Sequence, residues 1–372
     1  MKKAVRSRIC KFSVLFIPLL IIVSIFQSFL FRPHDHNTQR LRDFYKLEED
    51  SLDVVFLGAS EIFSGYAPGY AYGKYGYTSY MYAIESNQGS LYKSQLKEIL
   101  SRQSPQYIVI DVFGFLRAVD ASLYEEARLR IYTESIPMSS NKVETIMQHP
   151  YENKISCFFP FLKYHGDLRL VKNKLSRAYN FLLGHDPSIL KGMVTETTVC
   201  DMPEGDVGTS TDVPTISTMC RQYLEELLEY SKENKIQNLI FVNFPRYLAD
   251  EENDPLLKRV AETKSIITQY NYPFIDLQEE KEAMELDFSR DFRNSHHLNV
   301  YGQFKVTDYF GKLFTEAYQL SPLPQSKDSI SHWKDCALAA NEYYAIADHA
   351  ISEGKVFYLN DQSHEWISRN AQ

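Results

Sequence analysis

Apolar and polar positions along this chain repeat with two periods. Largely apolar runs over residues 54–57, 80–84, 107–112, 239–243 and 274–277 read as short buried strands. Between them, apolar residues recur at helical spacing. Leu91, Leu96, Ile99 and Leu100 predict a helix over 89–101. Tyr223, Leu224, Leu227, Leu228 and Tyr230 form a stripe against Glu225, Glu226 and Glu229, and further helices are expected over 256–270 and 301–318. Strand, helix and strand in that order predict right-handed βαβ units and a parallel sheet. The expected fold class is therefore α/β, a flavodoxin-like three-layer α/β/α arrangement with a parallel sheet of about five strands. From 115 to about 213 this rhythm lapses, which predicts a long insertion with helical pieces such as 142–148 and 167–183, followed by a polar loop.

The N-terminus carries a different pattern. Lys2, Lys3, Arg6, Arg8 and Lys11 precede an almost uncharged apolar run over 12–31, about the length that crosses a bilayer as a helix. The run continues into Phe31-Arg32-Pro33-His34 with no small-residue cleavage site. An uncleaved transmembrane signal anchor is expected, with the N-terminus cytoplasmic and the remainder exported. The chain then divides into a basic tail (1–11), the anchor (12–31), a juxtamembrane linker (32–50) with a helical stretch near 41–47, the α/β domain (51–320) and a C-terminal tail of helical pieces (321–372).

Composition narrows the partners. Among 372 residues the net charge is −8, so no basic surplus exists to neutralise the phosphates of a nucleic acid. The five cysteines lack metal-ligand spacing, and nothing in the chain calls for a cofactor or a metal. Cys200 and Cys220 flank the polar loop and either pair or stay free. Tyrosine is abundant, with Tyr66, Tyr70, Tyr72, Tyr75, Tyr77, Tyr80 and Tyr82 crowded around several Gly and Pro residues. That crowding predicts a loop whose tyrosines either line a glycan groove or pack on the domain.

Candidate chemistry lies at two points. The first strand runs into Gly58-Ala59-Ser60-Glu61, which sets a hydroxyl at the carboxyl end of a parallel strand, where open α/β sheets bind ligands. Ser60 is the candidate nucleophile; taken alone, the turn equally fits a serine that only caps a helix. Near the end of the domain stands Asp291-Phe292-Arg293-Asn294-Ser295-His296-His297-Leu298-Asn299-Val300-Tyr301-Gly302. A histidine in that loop reaches the same sheet edge, where an imidazole takes a hydroxyl proton and a third group fixes its tautomer. His165, beside the aromatic cluster of the insertion, is a rival base. Arg128 and Arg130 either meet an anionic substrate or lie on a solvated helix face.

In these motifs the chain resembles a membrane-anchored member of the SGNH/GDSL hydrolases. Gly58-Ala59-Ser60 is similar to that family's first block, and His297 with Leu298, Asn299 and Gly302 to its last. Gly-Ala-Ser-Glu after a signal anchor also resembles envelope acyl-transfer proteins such as the teichoic-acid D-alanine transfer protein. The resemblance implies an SGNH-type fold over roughly 51–319, Ser60 as nucleophile and His297 as general base. It further implies backbone N–H groups of Ser60 and Gly89 as oxyanion donors. Three positions depart from the family pattern. Asn294 stands where an aspartate is usual, so that either Asn294 or Asp291 orients the histidine, or a Ser-His dyad acts alone. No asparagine follows the third strand, leaving Asn87 or Asn243 as substitutes. Ala59 replaces the usual aspartate or serine.

The expected activity is an extracytoplasmic, membrane-tethered acyl-ester hydrolase or O-acyltransferase. Its expected substrate is an acylated cell-envelope glycan or glycopolymer, with a membrane acyltransferase as a possible partner. The alternative is a catalytically impaired protein of the same fold that binds glycan through its tyrosines or supports an acyl-transfer partner.

Overall fold

The computed structural model describes residues 35–120, 125–164, 188–200, 212–248 and 254–359, together with Phe16 and Leu19. The apolar run over 12–31 (those two residues aside), the helix expected over 167–183, and His165 lie outside the described residues. Among the described residues no helix is long and apolar enough to cross a membrane.

The chain opens with α1 (His36–Phe44), β1 (Val54–Gly58), α2 (Ser60–Gly65), α3 (Pro68–Tyr75) and β2 (Ser79–Ala83). There follow α4 (Gly89–Arg102), β3 (Tyr107–Asp111), α5 (Glu125–Ser135), α6 (Ser140–Gln148), α7 (Lys154–Phe158) and α8 (Phe161–Tyr164). The rest comprises β4 (Thr195–Glu196), α9 (Thr218–Glu233), β5 (Leu239–Asn243), α10 (Pro255–Gln269) and β6 (Phe274–Asp276). The last elements are α11 (Phe288–Asp291), α12 (Val300–Lys312), α13 (Lys327–Ser352) and β7 (Tyr358–Leu359).

Five strands form one sheet in the order β2-β1-β3-β5-β6, and every pairing is parallel. The winding reverses between β1 and β3, so a ligand crevice is expected outside the carboxyl ends of those two strands. Side chains alternate between two cores. Val55, Leu57, Ile108 and Ile110 face α4 and α9, while Val54, Phe56, Val109 and Ile240 face α2, α3 and α12. Helices on both faces explain why β1, β2 and β5 are buried along their whole length and read as largely apolar runs.

Three segments differ from expectation. The tyrosine-rich stretch contains a helix, α3, rather than only a loop. Pro68 occupies its first turn, where no N–H is missed, and Gly76 ends it at φ 82°, in left-handed backbone that favours glycine. The glycine inside α3 serves packing, since a Cβ on Gly69 would stand 2.3 Å from the Cys336 carbonyl oxygen of α13. Helix α13 is itself the second difference. It is a single element of 26 residues that buries Trp333, Cys336, Ala339, Ala340, Tyr343, Ala347 and Ala350. The third is the stretch expected as a linker with a helix near 41–47, whose helix instead spans His36–Phe44 and packs on the domain. There α1 buries Leu41 and Phe44, and Arg40 donates to the carbonyls of Gly192 (2.9 Å) and Ala83 (2.9 Å) while lying over the Phe63 ring.

The insertion is partly legible in the described residues. Helix α6 appears close to where its apolar spacing predicts it and packs on α4 through Ser94, Asn141 and Thr145. Cys200 and Cys220 are free thiols.

Candidate active site

The serine turn follows from a steric demand at the end of β1. A Cβ on Gly58 would lie 2.6 Å from Asp111 Cβ on the neighbouring strand and 2.6 Å from Ile62 Cγ1, so only glycine fits. Ala59 stays extended, and Ser60 opens α2 with 7% of its surface exposed. The hydroxyl thus stands at the carboxyl edge of the sheet, beside the reversal between β1 and β3.

The histidine arrives 237 residues later, with Ser60 Oγ 2.7 Å from His297 Nε2. Its loop is pinched by an antiparallel bridge between Phe292 and Leu298 and by the Arg293 N–H donating to the His297 carbonyl (3.0 Å). The residues after it anchor the loop to α12. Asn299 caps that helix, its Oδ1 accepting from Tyr301 N–H (3.0 Å) and Gly302 N–H (3.4 Å). A Cβ on Gly302 would stand 2.4 Å from the Asp291 carbonyl oxygen. The Leu-Asn-x-x-Gly pattern behind the histidine is therefore a cap and a close contact that set the ring's position.

Asn294 is the residue against that ring. Its Oδ1 lies 3.1 Å from His297 Nδ1 and accepts the backbone N–H groups of His297 (2.9 Å) and His296 (3.2 Å). Two backbone donors fix which end of the amide faces the loop. The oxygen being an acceptor, Nδ1 must carry the imidazole proton, which leaves the Nε2 lone pair for the serine hydroxyl. That is the tautomer a general base requires. Asp291 goes elsewhere: its buried carboxylate accepts from the Asp287 N–H (2.8 Å) and the Lys305 ammonium (2.6 Å). It joins α11 to α12 rather than touching the imidazole.

Burial lowers the His297 pKa well below the ordinary histidine value, and the charges of His296, Arg293 and Arg246 push the same way. The ring is held neutral, which suits a base. His296 packs against it with ring centroids 4.1 Å apart.

Of the expected oxyanion donors, Asn87 is fully used within the fold. Its Nδ2 donates to the Gly58 carbonyl (3.0 Å) and Gln95 Oε1 (2.8 Å), and its Oδ1 accepts from the Gln88 N–H (3.0 Å). It ties the exit of β2 to the serine turn. Asn243 Nδ2 donates to Asp276 Oδ1 (2.8 Å). Gly89 begins α4 and packs where a Cβ would stand 2.8 Å from the Phe115 ring. Gln88 escaped the sequence reading. It is 4% exposed, and among the described residues neither its amide nitrogen nor its amide oxygen has a hydrogen-bond partner.

A buried ion pair beside the serine was also missed. Glu61 Oε1 meets Arg246 Nη2 at 3.2 Å, both side chains almost wholly buried, and Arg246 lies over the Phe113 ring. Burial and the Glu61 charge push Asp111 well above the usual carboxylate range; its Oδ2 lies 3.4 Å from the Ala59 N–H. A sequence signal existed, since Asp111 and Arg246 each stand at or just beyond the carboxyl end of a strand. The Arg246 backbone is held by Gln278, which accepts from its N–H (2.6 Å) and donates to its carbonyl (3.0 Å).

Other candidates resolve into packing. Tyr66, Tyr77, Tyr80 and Tyr82 are wholly buried, with the Tyr66 and Tyr77 hydroxyls 2.8 Å apart, so these residues form no groove. Arg130 is neither solvated nor ligand-facing: it is buried against Glu126 (2.8 Å) and Glu134 (3.0 Å). Among the described residues no three His, Cys, Asp or Glu side chains gather as a metal site needs.

No protein-family model matches the chain, and no curated protein proves similar to it in sequence. Among solved structures it is similar to a candidate acylhydrolase from Bacteroides fragilis NCTC 9343, at 13% identity and a TM-score of 0.35 over 77% of this chain and 99% of the other. It is also similar to a candidate GDSL-like lipase from Parabacteroides merdae ATCC 43184, at 12% identity and a TM-score of 0.32 over 74% and 98%. Likenesses this distant carry no weight for the activity; the side-chain geometry has to stand by itself.

Proposed function

We propose that the chain is a serine esterase or acyltransferase of the SGNH/GDSL kind. The carrying observation is the 2.7 Å contact between Ser60 Oγ and the unprotonated nitrogen of a neutral His297. Ser60 would attack an ester carbonyl while His297 Nε2 takes the hydroxyl proton, and the alcohol would leave with that proton as the acyl-enzyme forms. Asn294 holds the ring throughout. The oxyanion would meet the backbone N–H groups of Ser60 and Gly89 and the unengaged amide nitrogen of Gln88. Water or a sugar hydroxyl then resolves the acyl-enzyme, and both outcomes share this first half.

The basic cluster and apolar run of the N-terminus support an exported, membrane-tethered setting. An acylated cell-envelope glycan or glycopolymer is the substrate that setting favours. A fluorophosphonate should label the protein at Ser60, and Ser60→Ala should abolish both labelling and hydrolysis of p-nitrophenyl acetate. Undiminished hydrolysis in that variant would remove Ser60 from the mechanism.

A further inference from the structure

Away from the serine, a cleft of about 410 Å³ opens between α4, α6 and α9. Its volume falls in the range of small-molecule sites, and its walls are about half polar, more so than such sites commonly are. Ser90, Lys93, Ser94 and Lys97 line it from one face of α4. The two lysines are each matched by a carboxylate, Lys93 with Glu226 (2.8 Å) and Lys97 with Glu144 (2.9 Å). The cleft therefore offers many hydrogen-bonding groups and almost no net charge.

Two of those groups are unsatisfied. Among the described residues Ser90 Oγ is buried without a partner, and so is Nε2 of His149, a residue 4% exposed. His149 Nδ1 accepts the Tyr151 N–H (3.2 Å), and burial lowers the ring's pKa to about 4. A neutral imidazole whose Nδ1 accepts must carry its proton on Nε2. A buried donor on a residue that lines the cleft thus lacks an acceptor, a cost of about 1–3 kcal/mol when left unmet.

The direction of the cleft bears on its use. Lys97 meets α6 at Glu144, and Ser94 meets it further on at Thr145, so α6 runs antiparallel to α4 and brings His149 toward the beginning of α4. Ser90 follows Gly89 directly, and Asn87 is bonded to the Gly58 carbonyl two residues before Ser60. The cleft therefore starts at the edge of the sheet that carries the serine turn and runs down α4.

We infer that this cleft is a subsite for a neutral saccharide chain, holding the sugars that extend from the acylated unit at Ser60. Hydroxyl groups supply acceptors for His149 and donors and acceptors for Ser90, and the exposed Gln222 amide stands at the rim. An anionic ligand would find both ammonium groups already matched, and a lipid would leave Ser90 and His149 still without partners. The inference rests on the esterase reading for its substrate but not for its measurement.

The test uses the full chain carrying Ser60→Ala, titrated by calorimetry with tetrasaccharides of glucose, xylose, mannose and N-acetylglucosamine, and with an anionic heparin tetrasaccharide. At least one neutral tetrasaccharide should bind. His149→Asn, which keeps an acceptor for Tyr151 and deletes the Nε2 donor, should weaken it roughly tenfold. Gln222→Trp, at an exposed position, should obstruct the cleft and weaken binding at least as much. Binding of none of the neutral sugars, a preference for the anionic one, or affinity unmoved by both variants would overturn the inference. Fluorophosphonate labelling of the wild type reads the serine separately. Labelling without sugar binding removes the cleft alone, and sugar binding without labelling removes the esterase reading alone.

Discussion

Replacing Asn294 by aspartate isolates what the amide contributes. All three contacts of Asn294 in the loop are made to Oδ1, at 3.1 Å to His297 Nδ1 and 2.9 and 3.2 Å to the two backbone N–H groups. A carboxylate in the same rotamer keeps each of them and adds a negative charge. Two unit charges about 4 Å apart attract by roughly 4 kcal/mol at an effective dielectric of 20. Solvent at the partly exposed ring and the nearby Arg293 and Arg246 reduce this, and an adjacent carboxylate commonly shifts a pKa by about 1–3 units. The sign is upward, because the carboxylate favours the imidazolium. In the parent, the acidic limb of kcat/KM should lie well below pH 6.5, because burial lowers the pKa at which His297 loses its ability to accept a proton. In Asn294→Asp that limb should move up by roughly 1–3 units, visible in p-nitrophenyl acetate hydrolysis followed from acid to mildly alkaline pH. On the alkaline plateau kcat should rise roughly three- to a hundredfold, since the imidazolium of the transition state gains part of the same energy. The corresponding change in serine proteases is worth about ten-thousandfold because there the amide imposes the wrong tautomer. Here two backbone donors already impose the right one. An acidic limb that stays in place, or a gain of that larger size, would refute the tautomer assignment.

Three further outcomes follow from the geometry. Gln88→Leu should lower kcat about a hundredfold with little change in KM if its amide meets the oxyanion; a loss below about threefold would exclude it. Arg246→Met leaves Glu61 buried and unpaired, which should cost about 3–5 kcal/mol in urea unfolding, with much of the loss recovered by adding Glu61→Gln; equal stability of the single and double variants would show that the pair carries no such penalty. His149 and His297 are both held below the ordinary value near 6.5, His149 at about 4, so the unfolded chain binds more protons than the native one between those values. Their contribution to stability is present above pH 6.5 and lost as pH falls toward 4. Urea midpoints should decline across that window, and His149→Asn should flatten the decline.

Much of the frame was legible because the physics behind it is local. Five apolar runs became the five parallel strands, and a serine and a histidine that belong at the carboxyl edge of such a sheet fell within hydrogen-bonding distance. The supporting residues were less legible because their partners are remote. Asp291 and Asn294 stand three residues apart, one at the end of α11 and the other in the loop after it, and the choice between them was made by Lys305, which claims the aspartate from 14 residues away. Asn87 read as a spare amide until the Gly58 carbonyl and Gln95 occupied it. The Glu61–Arg246 pair spans 185 residues and leaves no local pattern. The tyrosine stretch misled for another reason: glycine and proline mark loops, yet here they open, close and clear a helix.

The separation of 237 residues between Ser60 and His297 has a consequence in time. At synthesis rates of about 5–20 residues per second, the serine precedes its base by roughly 10–50 s. Asn294, and the cap at Asn299 that positions the loop, also lie in the late segment. Through that interval Ser60 is an ordinary alcohol, because a hydroxyl without an aligned base is a poor nucleophile at neutral pH. Activation of the serine thus awaits the arrival of the C-terminal third of the chain, and a nascent or truncated chain that ends before α12 carries the nucleophile without its reactivity.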